Sequence, residues 1–447
     1  MSVRRALPIL ELPKKTAPLA AAVRPIDACR PIYAVWELTL RCDLSCVHCG
    51  SRARKARPDE LSTAEALDLV RQMAALGVRE VSLIGGEAYL RDDLFEIVRA
   101  IRAAGMLASL TTGGLGVDAS FARRAQDAGL QAASVSIDGA RATHDRVRGV
   151  DGSFDAAASA LGVLREAGVR VTANTQLHRA NVRELEPLFE DLVSLGIRGW
   201  QIQITVAMGR AAEHADLLLE PYQLIELMPA IARLKRRADE ARVLLWPGNN
   251  VGYFGPYEAL LRGAQPLGHA CSCGAGRTTL GIESNGDIKG CPSLPTSDYV
   301  GGNVRAHALV DIWERSEPLR FTRDRGTSEL WGECASCYYA EECKGGCSWT
   351  SHSLFGRRGN NPFCHHRALE LLARGERERV RAVALPAGLP FDHGRFELEV
   401  ERWPDDDLEE ARRIARTGEG FLSRSPTVTS PPKLNAPRRK RRAQVSA

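Results

Sequence analysis

The stretch that decides the fold is YAVWELTLRCDLSCVHC, at residues 33–49. Its first eight residues are mostly aromatic, aliphatic or β-branched, which is typical of a buried strand. Cys42, Cys46 and Cys49 follow directly, separated by three and two residues. Three thiolates on one loop can hold a four-iron cluster and leave one iron open, whereas structural zinc usually takes four protein ligands. The spacing therefore favours an iron–sulfur cluster, and a zinc site completed by His48 or by a distant ligand is the alternative.

An alternation of strand and helix continues from this stretch to about residue 246. The sequence predicts strands at residues 33–40, 81–84, 107–111, 133–137, 169–175 and 200–206. It predicts helices between them at residues 63–76, 93–104, 119–128, 153–167 and 183–195. Repeated βα units imply a parallel sheet with right-handed crossovers. Six units fit a doubly wound sheet or an incomplete (βα) barrel, and both carry their active sites where the strands end.

Length, composition and charge narrow the class of protein. The chain has 447 residues, 44% hydrophobic and 26% charged, as in globular proteins. No apolar run approaches the roughly 20 residues of a membrane helix, and no signal peptide is visible, which predicts a cytoplasmic protein with no membrane partner. The net charge is +5, and the run at residues 438–442 alone carries five positive charges. We interpret that run as a solvated tail, so nucleic acid is not an expected partner.

A second group of cysteines follows the βα region. The chain has 12 cysteines, and clustered thiols in a chain without an export signal indicate metal binding. Eight lie beyond residue 270, namely Cys271, Cys273, Cys291, Cys334, Cys337, Cys343, Cys347 and Cys364. From Gly286 they follow the pattern G-x4-C, then C-x2-C-x5-C-x3-C, then one more cysteine. Only a hairpin at residues 278–288 is predicted among the first of them, so this segment is expected to need metal to fold. Cys29 lies outside both patterns and is expected to be a free or core thiol.

Together the two patterns resemble the radical S-adenosylmethionine (SAM) superfamily with a C-terminal SPASM domain, over about residues 33–370. The resemblance implies a SAM-binding [4Fe-4S] cluster on Cys42, Cys46 and Cys49, where SAM is cleaved to a 5′-deoxyadenosyl radical that abstracts a substrate hydrogen. It implies one auxiliary [4Fe-4S] cluster on Cys334, Cys337, Cys343 and Cys364, and another on Cys347, Cys291 and one or both of Cys271 and Cys273. Two zinc sites are the alternative for the second region. An electron donor of flavodoxin or ferredoxin type is also implied.

Other positions match SAM-binding positions of that family. Gly85-Gly86-Glu87 ends the second predicted strand and matches the family's GGE, whose carboxylate holds the SAM amino group. The remaining implied SAM contacts are Thr111 near the methionyl group, Ser136 and Asp138 at the ribose, Arg148 at the carboxylate, and Val206 at the adenine, with Asn174, Gln176, Gln203 and Thr205 at neighbouring strand ends. Arg148 could equally cap a helix.

The resemblance also gives the expected domain organisation. The fold class is α/β, a partial (βα)6 TIM-like barrel followed by a small cysteine-rich α+β SPASM domain. The boundaries are an extended proline-rich lead-in at 1–31, the barrel at 32–250, the SPASM domain at 251–383, and a C-terminal extension with a disordered basic tail at 384–447. Further helices are expected at residues 222–241, 367–383 and about 405–416.

One residue of the second cysteine pattern narrows the range of substrates that the family resemblance allows. SPASM enzymes act on ribosomally made peptides, sulfatases or cofactor precursors, and some act on haem precursors or nucleotides. The sulfatase maturases carry a basic Asp after the G-x4-C cysteine, but Pro292 stands there and cannot do acid–base work. The resemblance thus implies a peptide maturase that forms a crosslink, a thioether, an epimer or a rearranged backbone. An enzyme acting on a small molecule, haem precursor or nucleotide is the alternative.

The expected partner is a ribosomally made precursor peptide. About 40 residues precede the first cysteine motif, too few for the fused leader-binding module of some maturases. A separate leader-binding protein, or direct docking of the leader, is therefore expected. His365 and His366 are expected to begin a helix rather than to act as a base.

Overall fold

The computed structural model describes residues 29–263 and 273–423. Three expectations lie outside the described residues: most of the proline-rich lead-in, Cys271, and the basic tail beyond residue 423.

The first half of the described chain alternates strands with helices, as the sequence predicts. The strands are β1 (Tyr33–Glu37), β2 (Glu80–Ile84), β3 (Leu107–Thr112), β4 (Ala132–Ser136), β5 (Arg170–Leu177), β6 (Gly199–Ile204) and β7 (Leu244–Pro247). The helices are α1 (Thr63–Leu76), α2 (Leu94–Ala103), α3 (Ala119–Asp127), α4 (Arg141–Arg148), α5 (Ser153–Glu166), α6 (Leu185–Ser194) and α7 (Leu224–Glu240). The six expected strands are confirmed, while α4 and β7 were not predicted because both are short.

The second half contains shorter elements. The helices are α8 (Glu258–Arg262), α9 (Thr296–Tyr299), α10 (Leu309–Arg315), α11 (Glu317–Asp324), α12 (Ala340–Cys343), α13 (Ser348–Phe355), α14 (His365–Ala373) and α15 (Asp405–Thr417). The strands are β8 (Thr279–Ile282), β9 (Asp287–Lys289), β10 (Gly302–Asn303), β11 (Glu376–Ala384) and β12 (Arg395–Arg402). Among the described residues, none of the helices has the length and apolar character needed to cross a membrane.

Strands β1 to β7 are parallel and adjacent in chain order. A doubly wound sheet reverses its strand order at one point, so the unbroken order identifies the incomplete barrel. β8 pairs parallel with β1, and β9 and β10 continue the sheet antiparallel. The cysteine-rich segment therefore extends the barrel sheet beyond its first strand, across the boundary expected near residue 250.

One expected helix is wrong in its second half. The helix expected at 367–383 ends at Ala373, and Gly375 then adopts a left-handed φ of +72°. Residues from Glu376 onward form β11, which pairs antiparallel with β12. Arg and Glu favour helices in isolation, but here they form cross-strand ion pairs such as Arg377–Glu401 at 2.6 Å. The helix expected near 405–416 is confirmed as α15.

The two faces of the barrel strands differ in polarity. The outward residues, such as Val81, Leu83 and Leu110, are buried against the surrounding helices in the main hydrophobic core. The inward residues at the strand ends are polar, such as Thr111 and Gln203, and line a cavity. Because side chains alternate along a strand, the same segments build both the core and the site.

Candidate functional site

The three cysteines that follow β1 share one cavity. Cys42, Cys46 and Cys49 line a cavity of about 690 Å³ at the C-terminal ends of the barrel strands, here called the large cavity. The backbone of their loop is held by the end of α4, since Ser45 N donates to Arg148 O at 3.1 Å and Val47 N to Val147 O at 2.9 Å. The unpredicted helix α4 thus fixes the cysteine loop.

The GGE segment lies directly beneath this loop. Gly86 N donates to Thr39 O at 2.7 Å, and Glu87 N donates to Arg41 O at 2.8 Å. A Cβ on Gly85 would lie 2.3 Å from Thr39 O, and one on Gly86 would lie 2.2 Å from Arg41 O. Both glycines are therefore required by the close approach of the cysteine loop itself.

Glu87 is the only carboxylate among the described residues that line the large cavity. It is buried, and it accepts hydrogen bonds from Thr112 Oγ1 at 2.5 Å and Gly113 N at 2.7 Å. Burial raises its pKa to about 7, although these two hydrogen bonds oppose the shift. A desolvated carboxylate held in this way suits a ligand ammonium group, whose charge would favour the ionised form.

The structure brings most of the other expected SAM contacts to the same cavity. Thr111, Ser136 and Arg148 line it. The Arg148 guanidinium lies 2.6 Å from Asp138 Oδ2, and its Nη1 lies 3.8 Å from the Cys46 sulfur. Arg148 is the last residue of α4, and Gly149 follows it as the C-cap.

Two expected contacts do not line the cavity. Asp138 is fully buried, with its carboxylate bound by Arg148, by His48 Nε2 at 3.2 Å and by Gln176 N at 2.8 Å. Burial would raise its pKa, but the nearby Arg148 and His48 hold it well below its usual range. Val206 is buried beyond the end of β6, out of phase with the inward Gln203. The Asp138 carboxylate is therefore engaged by residues of this chain, and Val206 is buried outside the lining of the cavity.

A row of carboxamides forms one wall of the large cavity. Its members are Asn174, Gln176, Gln201, Gln203 and Asn249. Asn250 lies beside them, but its amide already accepts from Ile204 N and donates to Ile204 O. The two asparagines follow β7, and sequence reasoning missed them because that strand is only four residues long. Gln201 lies two residues before Gln203 on β6, so strand alternation places both on the same face, but Gln201 was not among the residues expected from the sequence.

Three cysteines of the second pattern, in the C-terminal half of the chain, also line the large cavity. Cys273, Cys291 and Cys347 line it. Burial, with a smaller contribution from the neighbouring thiols, raises the pKa of Cys291 to about 11 and that of Cys347 to about 12. This is the grouping that the resemblance implies, apart from Cys271, which is not described.

The other four cysteines lie elsewhere. Cys334, Cys337, Cys343 and Cys364 line a separate cavity of about 370 Å³, here called the small cavity. His366 also lines it, while His365 is buried and stacks on Tyr257 with ring centroids 5.9 Å apart. Both histidines begin α14, as expected. Cys29 is a free, half-buried thiol, and its carbonyl accepts from Trp313 Nε1 at 2.9 Å.

The donor chemistry of these cysteine sets fits metal clusters. All the described cysteines are free thiols. Desolvation raises the pKa of Cys42 to about 12, of Cys46 to about 11 and of Cys364 to about 12. Thiols of this kind stay protonated at neutral pH unless a bound cation stabilises the thiolate. Each of the two sets of three cysteines in the large cavity can hold a four-iron cluster and leave one iron without a cysteine ligand. The set of four in the small cavity can supply a ligand to every iron of its cluster.

Comparison with known proteins agrees with this chemistry. The model of the radical SAM superfamily matches residues 36–192, and the model of the SPASM iron–sulfur cluster-binding domain matches residues 271–338. The AdoMet-dependent heme synthase of Methanosarcina barkeri is 31% identical over 353 residues, covering 75% of this chain and 97% of that protein. The PqqA peptide cyclase of Methylocella silvestris is 30% identical over 347 residues, covering 76% and 89%.

Solved structures show the same fold. Streptococcus suis SuiB bound to its precursor peptide SuiA superimposes with a TM-score of 0.58 at 18% identity, covering 75% of this chain and 76% of SuiB. The chain belongs to the radical SAM superfamily and carries a C-terminal SPASM domain. It is a radical SAM enzyme whose cofactors are iron–sulfur clusters and SAM.

Proposed function

We propose that this enzyme is a peptide maturase, which uses a SAM-derived radical to start a post-translational modification of a ribosomally made peptide. The observation that carries the proposal is the carboxamide wall of the large cavity. An amide side chain donates and accepts hydrogen bonds, as the peptide backbone does, so such a wall suits a neutral peptide substrate. The similarity to the PqqA peptide cyclase supports the same substrate class.

The charges of the cavity favour a peptide over a polycarboxylate. Carboxylates bind most strongly to free guanidinium or ammonium groups. Among the described residues that line the cavity, the two arginines are already engaged. Arg148 pairs with Asp138, and Arg210 donates to Cys46 O at 2.7 Å and Ala53 O at 3.3 Å.

The residues of this chain would bind the clusters and SAM and fix their positions. Cys42, Cys46 and Cys49 would hold the SAM-binding cluster, which supplies the deoxyadenosyl radical when SAM is bound. Glu87 would hold the SAM ammonium group and so fix the orientation of the sulfonium. The Cys273, Cys291 and Cys347 set would hold an auxiliary cluster across the same cavity, leaving the substrate between the two sets. The set in the small cavity would hold the second auxiliary cluster.

A haem-precursor enzyme is the second candidate function. It is favoured by the alignment with the AdoMet-dependent heme synthase, which extends over 97% of that protein. The two candidates differ in substrate charge, so a direct comparison of substrates separates them.

The test uses anaerobically reconstituted full-length protein with SAM and dithionite. One reaction receives the short peptide encoded next to this chain's gene, deuterated throughout, and a parallel reaction receives Fe-coproporphyrin III. We expect deuterium in the released 5′-deoxyadenosine and a mass change in the peptide, both abolished by Cys42→Ala. Consumption of the porphyrin with an unchanged peptide would instead support the second candidate.

The proposal includes further partners. A flavodoxin or ferredoxin would supply electrons in the cytoplasm, and a separate leader-binding protein would deliver the precursor peptide. Capture of the precursor peptide by this chain alone, measured by pull-down, would show that the separate leader-binding protein is unnecessary.

A further inference from the structure

Three potential metal ligands meet outside the cysteine cavities. Asp298 of α9, His352 of α13 and His393 of the loop between β11 and β12 place one ligand atom each within 4.8 Å of one another. His352 Nε2 lies 3.5 Å from Asp298 Oδ2. Two ligands bound at about 2.0–2.1 Å in tetrahedral geometry are roughly 3.4 Å apart, so this spacing suits a shared ion.

The other ring nitrogens of both histidines have hydrogen-bond partners. His352 Nδ1 lies 3.0 Å from the Tyr299 hydroxyl, and His393 Nδ1 lies 2.8 Å from Gly394 O. Because a carbonyl oxygen only accepts, the latter contact places the proton on Nδ1 of His393 and the lone pair on Nε2. Metal-binding histidines almost always donate their second N–H in this way, which fixes the tautomer and the ring orientation.

We propose that Asp298, His352 and His393 bind one Zn²⁺ ion, separate from the iron–sulfur sites. Two imidazoles and one carboxylate form a donor set without sulfur, which suits zinc and not an iron–sulfur cluster. The His352 side chain is 8% exposed and that of Asp298 is 43% exposed. Water can therefore reach the ion from the Asp298 side and complete its coordination.

The ion would fasten the β11–β12 loop to the body of the enzyme. The neighbouring residue Asp392 pairs with Arg52 Nε at 2.8 Å, and its carbonyl accepts from Gly209 N at 2.7 Å. Arg52 follows Cys49 by three residues. The zinc site would thus hold the loop against the segment that carries the SAM-cluster cysteines.

The test is metal analysis of anaerobically purified, full-length holoenzyme after incubation with Zn²⁺ and removal of free metal. We expect about one zinc per chain, with only nitrogen and oxygen neighbours at about 2.0–2.1 Å by zinc X-ray absorption. His393→Ala and the conservative Asp298→Asn should lower zinc occupancy at least tenfold while iron and sulfide contents stay constant. His307→Ala, which alters an exposed histidine elsewhere in the same region, should keep the zinc.

Three results would overturn the proposal. The first is sulfur neighbours at about 2.3 Å, which would place zinc in the cysteine sites. The second is full retention of zinc by His393→Ala. The third is the absence of retained zinc in the unmodified enzyme. Hydrogen exchange adds a second readout independent of catalysis. Zinc removal from the unmodified holoenzyme should speed exchange at residues 385–394, and it should have no such effect in His393→Ala.

Discussion

Lys289 is fully buried two residues before Cys291. Its ammonium lies 2.6 Å from Glu283 Oε1 and donates to Leu294 O at 2.7 Å. Burial alone would raise the pKa of Glu283, but Lys289, with smaller contributions from Thr296 and Arg57, holds the pKa below its ordinary value. A charge buried this deeply is costly unless its partner stays in place.

Lys289→Met should therefore lower the free energy of unfolding by about 3–5 kcal/mol, because Glu283 loses its strongest compensating charge. Adding Glu283→Gln should recover part of that loss. Chemical denaturation of the anaerobic holoenzyme measures both variants.

The pH dependence of this loss follows from the lowered pKa of Glu283. A lowered carboxyl pKa gives stability that is present above the ordinary value of 4.5 and is lost as the pH falls through the folded value. In Lys289→Met, burial acts on Glu283 without the charge that lowers its pKa most, so the pKa is higher than in the unmodified protein. The deficit should therefore be largest at high pH and shrink as the pH falls through that higher value. A deficit that grows as the pH falls would contradict this assignment.

Glu87→Gln should weaken SAM binding by about 10- to 100-fold, the value of about 1.5–3 kcal/mol for a hydrogen bond to a charged group. Iron content should not change, because the proposed cluster ligands are all cysteines. Equilibrium binding of SAM to the reconstituted protein measures the effect. Glu96→Gln, at an exposed position on α2, is the matched control and should bind SAM normally.

At the scale of elements, the site depends on how the β1 loop meets the end of β2. The loop carries the cysteines, and Gly85 and Gly86 let it lie on the next strand end. The sequence resemblance assigns a role only to the carboxylate of this motif, and the structure shows that its two glycines are needed by the backbone of the loop. The local sequence motif does not show which neighbouring segment of the chain its glycines accommodate.

Gly86→Ala should displace the cysteine loop, because the added Cβ would lie 2.2 Å from Arg41 O and 2.9 Å from Cys42 Cβ. We expect loss of about four irons per chain and of SAM cleavage, with the auxiliary irons retained. Gly162→Ala is the control, since its Cβ in α5 would meet nothing within 4 Å. Iron content and deoxyadenosine release distinguish the two variants, and full iron in Gly86→Ala would refute the steric argument.

At the scale of the whole molecule, residues 403–422 pack against residues of the barrel domain. Leu422 N donates to Glu226 Oε2 at 2.6 Å, and Leu422 O accepts from Arg183 Nη2 at 2.6 Å. The Trp403 and Tyr222 rings pack edge to face with centroids 5.2 Å apart. The part of the extension up to residue 423 therefore contributes to the folded enzyme.

Truncation after Ser423 should leave thermal stability and activity unchanged, since it removes none of these contacts. Truncation after Arg402 should lower the melting temperature by several degrees, because it removes α15 and the contacts of Trp403 and Leu422. Differential scanning calorimetry of the two truncated enzymes measures this. Equal stability of both would show that α15 is dispensable.

The sequence by itself determined the βα order, the ligand spacing on each cysteine loop and the superfamily, because periodicity and short loops are local properties of the chain. Only the tertiary structure decided which cysteines share a cavity, that Asp138 contacts Arg148 and His48, and that residues 376–384 form a strand. Those outcomes depend on contacts between residues far apart in sequence. His393 reaches Asp298 and His352 in the same way, through a hairpin whose ion pairs override the helix preference of its residues.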